Sequence, residues 1–218
     1  VPYTGCDATA ILLTSHKTLT KRTLAAAGIP TAGWIDEHGA DIEVDPASRF
    51  IVKSVWEDAS IGLDAGSVVN GVAAARRRIA EMTARRGGTW FAETYVDGRE
   101  FNVALLDSED GPELLPVGEI RFVDFPPDLP RILDYASKWD TESFAYSHTP
   151  HGFDLPPSDR AMVEQLRDFA LRCWRLLGLG GYARVDFRID ATGRPYVLEV
   201  NANPCLSSDA GYPAMLER

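Results

Sequence analysis

Apolar and polar positions alternate with period two along 181–189 and again along 196–204. Both runs are rich in Val, Ile, Phe and Tyr, which predicts two half-buried strands. Thr192-Gly193 between them predicts a tight two-residue turn and an antiparallel pair. In that register Asp186 lies opposite Glu199, Arg184 opposite Asn201, and Pro195 opposite Asp190, a non-hydrogen-bonded position where its missing N–H does no harm. A helical period governs 70–86, with Val72, Ile79 and Met82 inward and an arginine-rich outer face. A second governs 158–177, capped by Ser158 and stopped by Gly178, with Met162, Leu166, Phe169, Cys173 and Leu176 on one face. Thr14 or Ser15 caps a further helix over 16–27, which Gly28 and Pro30 end. Strands are predicted at 31–35, 50–55, 89–96, 99–106 and 114–123, the third and fourth joined as a hairpin at Asp97-Gly98. The stretch 124–157 has no period and is long for a passive connection. This order of elements predicts an α+β protein of two lobes with a cleft between them.

Composition narrows the function. A net charge of −10 argues against general nucleic-acid or anionic-membrane binding, so any phosphate site must be a local concentration of positive charge. Cys6, Cys173 and Cys205 are odd in number and lack CxxC spacing, which speaks against a disulfide framework or zinc site and for a reducing, cytoplasmic setting. No apolar run has the length to cross a bilayer and no signal peptide is visible. The chain starts at Val1 without Met, as an excised or processed piece of something larger would.

The predicted hairpin brings two acids face to face. Asp186 and Glu199, with Cβ atoms roughly 4.5–5.5 Å apart in such a pair, repel each other unless a cation sits between them. Together with Asn201 they offer the oxygen donors that hard divalent ions prefer, Mg²⁺ first and Mn²⁺ as its nearest substitute. The plain alternative is a solvated sheet face whose acids splay into water.

Several motifs in sequence then resemble the ATP-grasp superfamily, and within it the D-alanine:D-alanine ligase group. They are Val1-Pro-Tyr-Thr-Gly5 followed by Lys17, Gly28-Ile-Pro-Thr31, Ile51-Val-Lys53 with Ser60-Ile-Gly62, Glu93-Thr-Tyr-Val96 with Gly98-Arg-Glu100-Phe, Tyr135-Ala-Ser-Lys138, and Arg184-Val-Asp186 with Glu199-Val-Asn201-Ala-Asn-Pro204. Each is weak alone, and their order and spacing together are specific. The resemblance implies an ATP-grasp fold in which two α+β lobes close on ATP, with one or two Mg²⁺ ions at the phosphates. Residues 1–17 would be a remnant of, or linker from, an N-terminal domain absent from this chain, 18–96 the small lobe and 97–218 the large lobe.

By the same resemblance Asp186, Glu199 and Asn201 are similar to the metal ligands. Arg184 is similar to the residue that stabilises charge on the transferred phosphoryl group. Lys17, Lys53 and Lys138 resemble phosphate-binding lysines, three of only four lysines against eighteen arginines. Glu93 with Thr94, Tyr95 and Val96 resembles the adenine contact, and Glu100 the acid on the ribose hydroxyls. Ser60 lies in a loop like the one that covers the phosphates, and Lys138 and Trp139 in a segment like the family's mobile active-site loop. The implied activity is an ATP-dependent carboxylate:amine ligase, forming an amide through an acyl phosphate from small amino-acid or peptide substrates. It would need neither nucleic acid nor membrane, and the resemblance is compatible with a homodimer. The chain departs from the family pattern at Ala59, Trp139 and Ala210, the last replacing a serine near the second substrate's carboxylate. Two other readings follow from the departures: a nucleotide-binding module without ligase activity, or a ligase for other amino acids or peptides.

Overall fold

The computed structural model describes residues 3–36, 39–40, 44–207 and 210–218. Along the chain run α1 (Ala8–Ser15), α2 (Lys17–Ala26), β1 (Trp34–Asp36), β2 (Gly39–Ala40), β3 (Arg49–Ser54), β4 (Val68–Asn70), α3 (Gly71–Arg86), β5 (Trp90–Thr94) and β6 (Arg99–Leu106). There follow β7 (Glu113–Leu114), β8 (Gly118–Ile120), α4 (Tyr135–Trp139), α5 (Phe144–Ser147), β9 (His151–Gly152), α6 (Arg160–Leu177), β10 (Tyr182–Ile189), β11 (Pro195–Asn201) and α7 (Gly211–Leu216).

The described residues form two compact units. One gathers 1–31, 97–121 and 151–218; the other gathers 32–96 and 122–150. This differs from the expected split into 1–17, 18–96 and 97–218. Residues before 18 are an integral part of the first unit because Cys6 and Ala10 enter its core. They include a helix, α1, that the sequence reading did not anticipate. Asp7 caps it, its carboxylate accepting the Ala10 N–H at 2.8 Å. The cap of α2 is His16, whose Nδ1 accepts the Leu19 N–H at 3.2 Å, and not Thr14 or Ser15; Thr14 instead donates back to the Ala10 carbonyl at 2.9 Å.

The first unit is built on an antiparallel sheet in the order β11-β10-β6-β8-β9, with β7 on β6. Phe101, Val103 and Leu105 of β6 and Ala183, Val185 and Phe187 of β10 point to one face and pack with Leu166, Phe169, Ala170, Cys173, Trp174 and Leu177 of α6. That row follows the 3.6-residue period through 177, so Leu177 is buried and Leu176, expected inside, is exposed. Gly178 ends the helix in the left-handed conformation, φ 63°.

The second unit has a sheet in the order β2-β1-β5-β3-β4. Ile35, Phe50, Val52 and Ala92 pack on Ala75 and Met82 of α3, with Val72 and Ile79 alongside. Within the aperiodic stretch lie α4 and α5, each too short to leave a periodic signal in the sequence. Among the described residues no helix is long and apolar enough to cross a membrane.

The expected hairpin at Asp97-Gly98 does not form. β5 pairs with β1 and β3, whereas β6 pairs with β7, β8 and β10. Gly98 serves a close approach of backbone instead: a Cβ there would lie 1.8 Å from the Ile189 carbonyl oxygen. Arg188 also donates to the Gly98 carbonyl at 2.9 Å. Gly98→Ala is therefore expected to destabilise the protein by about 2–3 kcal/mol, since backbone at the end of β10 would have to move. A denaturant titration reads this, and an unchanged midpoint would show that the contact is not needed.

Candidate nucleotide and metal site

The alternation that sends the apolar residues of β6 and β10 into the core sends their polar ones to the opposite face. Register places these in three rows across the first unit's sheet. His151, Ile120, Glu100, Arg188 and Tyr196 make one; Gly118, Asn102, Asp186 and Glu199 the next; Ala104, Arg184 and Asn201 the third. Directly opposed residues share a face, so the side chains of each row converge.

The hairpin differs from expectation at its closed end and agrees at the site. The loop is Ala191–Thr192–Gly193, three residues rather than two. Gly193, at φ 83°, donates to the Asp190 carbonyl at 3.0 Å, and the Asp190 N–H donates to the Arg194 carbonyl at 3.0 Å. The Asp190 carboxylate accepts from Thr192 N, Thr192 Oγ1 and Arg194 N at 2.8, 2.7 and 3.0 Å. Pro195 consequently faces Ile189 and not Asp190. A bulge at Leu198 then resets the register so that Asp186 faces Glu199 and Arg184 faces Asn201.

Asp186 is the centre of the network, with 5% of its surface exposed. Arg184 donates to it from Nε at 2.7 Å and from a terminal nitrogen at 2.8 Å. Asn102 donates at 2.7 Å, and Asn201 donates to Asp186 at 3.0 Å and to Glu199 at 3.3 Å. One row away, Arg188 grips Glu100 with two N–H groups, at 2.9 and 2.7 Å. Burial pushes the Asp186 carboxyl above its usual pKa, Arg184 pulls it down, and Glu199 and Glu100 push it up again, for a net rise. Burial also works against the Arg184 charge, but Asp186, Glu199 and Glu100 outweigh it and hold that guanidinium's pKa above its ordinary value. Three acids against two guanidiniums leave this face one negative charge in excess.

These residues fit a divalent cation. Among the described residues no group of three or more His, Cys, Asp or Glu side chains is placed to hold a metal. The set here is two carboxylates and an amide, too few for an all-protein cage. It suits an ion such as Mg²⁺, which keeps water and phosphate oxygens in most of its positions. Arg184 occupies the carboxylate that the cation would share, and Asn201, whose amide nitrogen donates to both acids, would have to present its oxygen instead to be a ligand.

The second unit holds a separate cluster. Glu93 of β5, 1% exposed, accepts from the Lys53 ammonium of β3 at 2.5 Å. The amides of Thr94 and Tyr95 donate to the carbonyls of Gly33 and Arg49, both at 2.8 Å, so strand pairing uses them. The Tyr95 hydroxyl accepts the Arg131 N–H at 3.0 Å; Val96 ends this stretch. Ala59 and Ser60 have φ of 55° and 61°, a left-handed pair without glycine that stores strain. They are held by the 122–150 segment: Ser60 Oγ donates to the Leu133 carbonyl at 2.6 Å, and the Trp139 indole donates to the Ala59 carbonyl at 3.2 Å. Lys138 lies in α4, half-buried, and Lys17 opens α2, buried. Val1 and Pro2 of the motifs lie outside the described residues.

The sequence reading missed Asn102 and Arg188. Their signal was present in the same alternation, as Glu100-Phe-Asn102 and Asp186-Phe-Arg188. It is visible only once β6 is known to lie beside β10.

Two mixed α+β units, each an antiparallel sheet covered by helices, one bearing a buried Arg/Asp/Glu/Asn face, define an ATP-grasp fold. The structure is similar to that of the D-alanine–D-alanine ligase from Bacillus anthracis complexed with ATP, with a TM-score of 0.72 at 22% identity over 100% of this chain and 64% of that one. The family described as D-ala D-ala ligase C-terminus matches residues 26–218, and the chain belongs to it. It is 34% identical to the D-alanine–D-alanine ligase of Albidiferax ferrireducens, over 98% of this chain and 58% of that protein. It is 30% identical to an uncharacterized protein of Sinorhizobium fredii, over 97% and 60% respectively. The chain thus spans about three-fifths of the length of these relatives.

Proposed function

We propose that this chain carries the ATP- and metal-binding part of an ATP-dependent carboxylate:amine ligase acting on small amino acids or peptides. The observation that carries the reading is the pairing of buried Asp186 with half-buried Glu199 on a sheet face shared with Arg184 and Asn201, both also half-buried. Asp186, Glu199 and Asn201 would hold one or two Mg²⁺ ions, which supply positive charge at the nucleotide phosphates. Arg184, always protonated, places a second positive charge where a transferring phosphoryl group accumulates negative charge. In the reaction a substrate carboxylate oxygen attacks the γ-phosphorus and ADP leaves; an amine then attacks the acyl carbon and phosphate leaves. Lys17, Lys53 and Lys138 are assigned to phosphate, Glu93 with Thr94, Tyr95 and Val96 to adenine, and Glu100 to ribose. Ser60 is assigned to the phosphate-covering loop, which the strained backbone at Ala59 and Ser60 supports.

The amine partner differs from that of a D-alanine ligase in this reading. Ala210 caps α7 with no side-chain hydrogen bond, and its methyl group cannot bind a carboxylate as the family's serine does. ADP release measured over a panel of acids and amines, with mass spectrometry of the product, tests the proposal. ADP release with an amide product is expected. Tight ATP binding without ADP release across the panel would mark a nucleotide-binding module, and no ATP binding at all would overturn both readings.

A further inference from the structure

We propose that Lys21 is a positioning residue: through Thr31 it pins the backbone of Val197 at the bulge that turns Glu199 toward Asp186. The inference rests on the metal reading of that pair. Lys21 is the lysine to which the resemblance gives no role, and it is among the most completely buried large side chains, 2% exposed. An ammonium is costly to bury unless it donates to good acceptors. Among its partners is Thr31, whose Oγ1 it reaches at 2.7 Å; that hydroxyl in turn donates to the Val197 carbonyl at 3.0 Å. The Val197 N–H donates to the Pro30 carbonyl at 2.8 Å, and Thr31 and Val197 form an isolated parallel bridge. Both backbone groups of one residue on the outer edge of β11, the end strand of its sheet, are therefore held by the segment that follows α2.

The position of that residue gives the relay its meaning. Val197 is the last residue paired in the hairpin-end register, opposite Phe187. Leu198 is extra, and Glu199 resumes pairing opposite Asp186. Val197 and Val200 both lie in the core although they are three apart, which a regular strand forbids and one extra residue permits. If the hairpin-end register ran on without the bulge, Leu198 would face Asp186. Glu199 would fall opposite Val185, on the core side of the sheet. A one-residue slip moves every later side chain to the other face. An edge strand has only one sheet neighbour to resist such a slip, and the Lys21–Thr31–Val197 chain supplies a second restraint on the residue where the slip would start.

Three variants test this: Thr31→Val, which keeps the β-branched shape and deletes the relaying hydroxyl, Lys21→Met and Lys21→Arg. The probe is Mn²⁺ titrated in the presence of ATP, alongside ATP affinity without metal and thermal denaturation. Thr31→Val and Lys21→Met are each expected to weaken Mn²⁺ binding about tenfold, the scale of losses when the support of a metal ligand is removed. Metal-free ATP affinity should hold, and Lys21→Arg should recover part of the loss. Glu199→Gln added to Thr31→Val should cost less than it does alone, because the two act on one ligand. Should Lys21→Met fail to fold, Thr31→Val carries the test. A lowered melting temperature with Mn²⁺ affinity intact would make the relay merely structural and overturn the proposal alone. Failure of the unaltered protein to bind Mn²⁺ with ATP would overturn the metal reading, and the proposal with it.

Discussion

A Glu199→Gln variant is expected to keep its fold and lose at least about a hundredfold in Mn²⁺ affinity in the presence of ATP, the upper end of what removing support for a ligand costs and so the least expected for a ligand itself. The change deletes one charge and little else. The Gln carbonyl still accepts the Asn201 amide that Glu199 accepts at 3.3 Å, so the local network survives. The face then loses its single excess negative charge. Metal-free ATP should bind as well or slightly better, because repulsion of the phosphates falls, while the cation loses one of two carboxylates. ADP release with any productive acid and amine should disappear together with metal affinity. Circular dichroism confirms the fold, and equal Mn²⁺ affinity in the two proteins would remove Glu199 from the metal set.

Much of this site was legible because it rests on a local rule, the alternation of side chains along a strand. The facing of Asp186 and Glu199 was expected from a two-residue loop, yet the loop has three residues and β11 carries a bulge. The two departures cancel beyond Leu198, so the pair is right while Pro195 is misplaced by one. Thr192-Gly193 cannot distinguish the loop lengths; the Asp190 carboxylate, which gathers the turn's N–H groups, decides. The bulge leaves a trace in Val197-Leu198-Glu199-Val200, where apolar spacing breaks period two. Asp97-Gly98 misled for the opposite reason. Its dipeptide is a strong local turn signal, overridden by the pairing of β6 with β10, strands more than seventy residues apart in the chain. Lys21 was unreadable for a similar cause, since it meets Thr31, and Thr31 meets Val197, only in the folded unit.

Asp186→Ala is expected to cost about 3–5 kcal/mol, the penalty for stripping one partner from a buried ion pair. At roughly 2–4 °C per kcal/mol for a chain of this size, the melting temperature should fall by about 10 °C. The loss is not the attraction between Arg184 and Asp186. Burial is the largest influence on the Asp186 carboxyl and leaves its pKa raised, so desolvation already offsets much of what pairing contributes. What the variant leaves behind is the damage: a guanidinium whose side chain is 15% exposed, without the acceptors it reaches at 2.7 and 2.8 Å. The amides of Asn102 and Asn201 also lose an acceptor. If that account holds, removing the stranded charge should restore stability. The double variant Arg184→Met with Asp186→Leu should melt near the unaltered protein while binding no Mn²⁺ in the presence of ATP, and Asp186→Asn should fall between. A double variant as unstable as Asp186→Ala would locate the cost in lost attraction instead, and the polar face would then be a stabilising element in its own right. The expected result separates the two properties: the face contributes little net stability, and the proposed binding of a cation and phosphate would account for its arrangement.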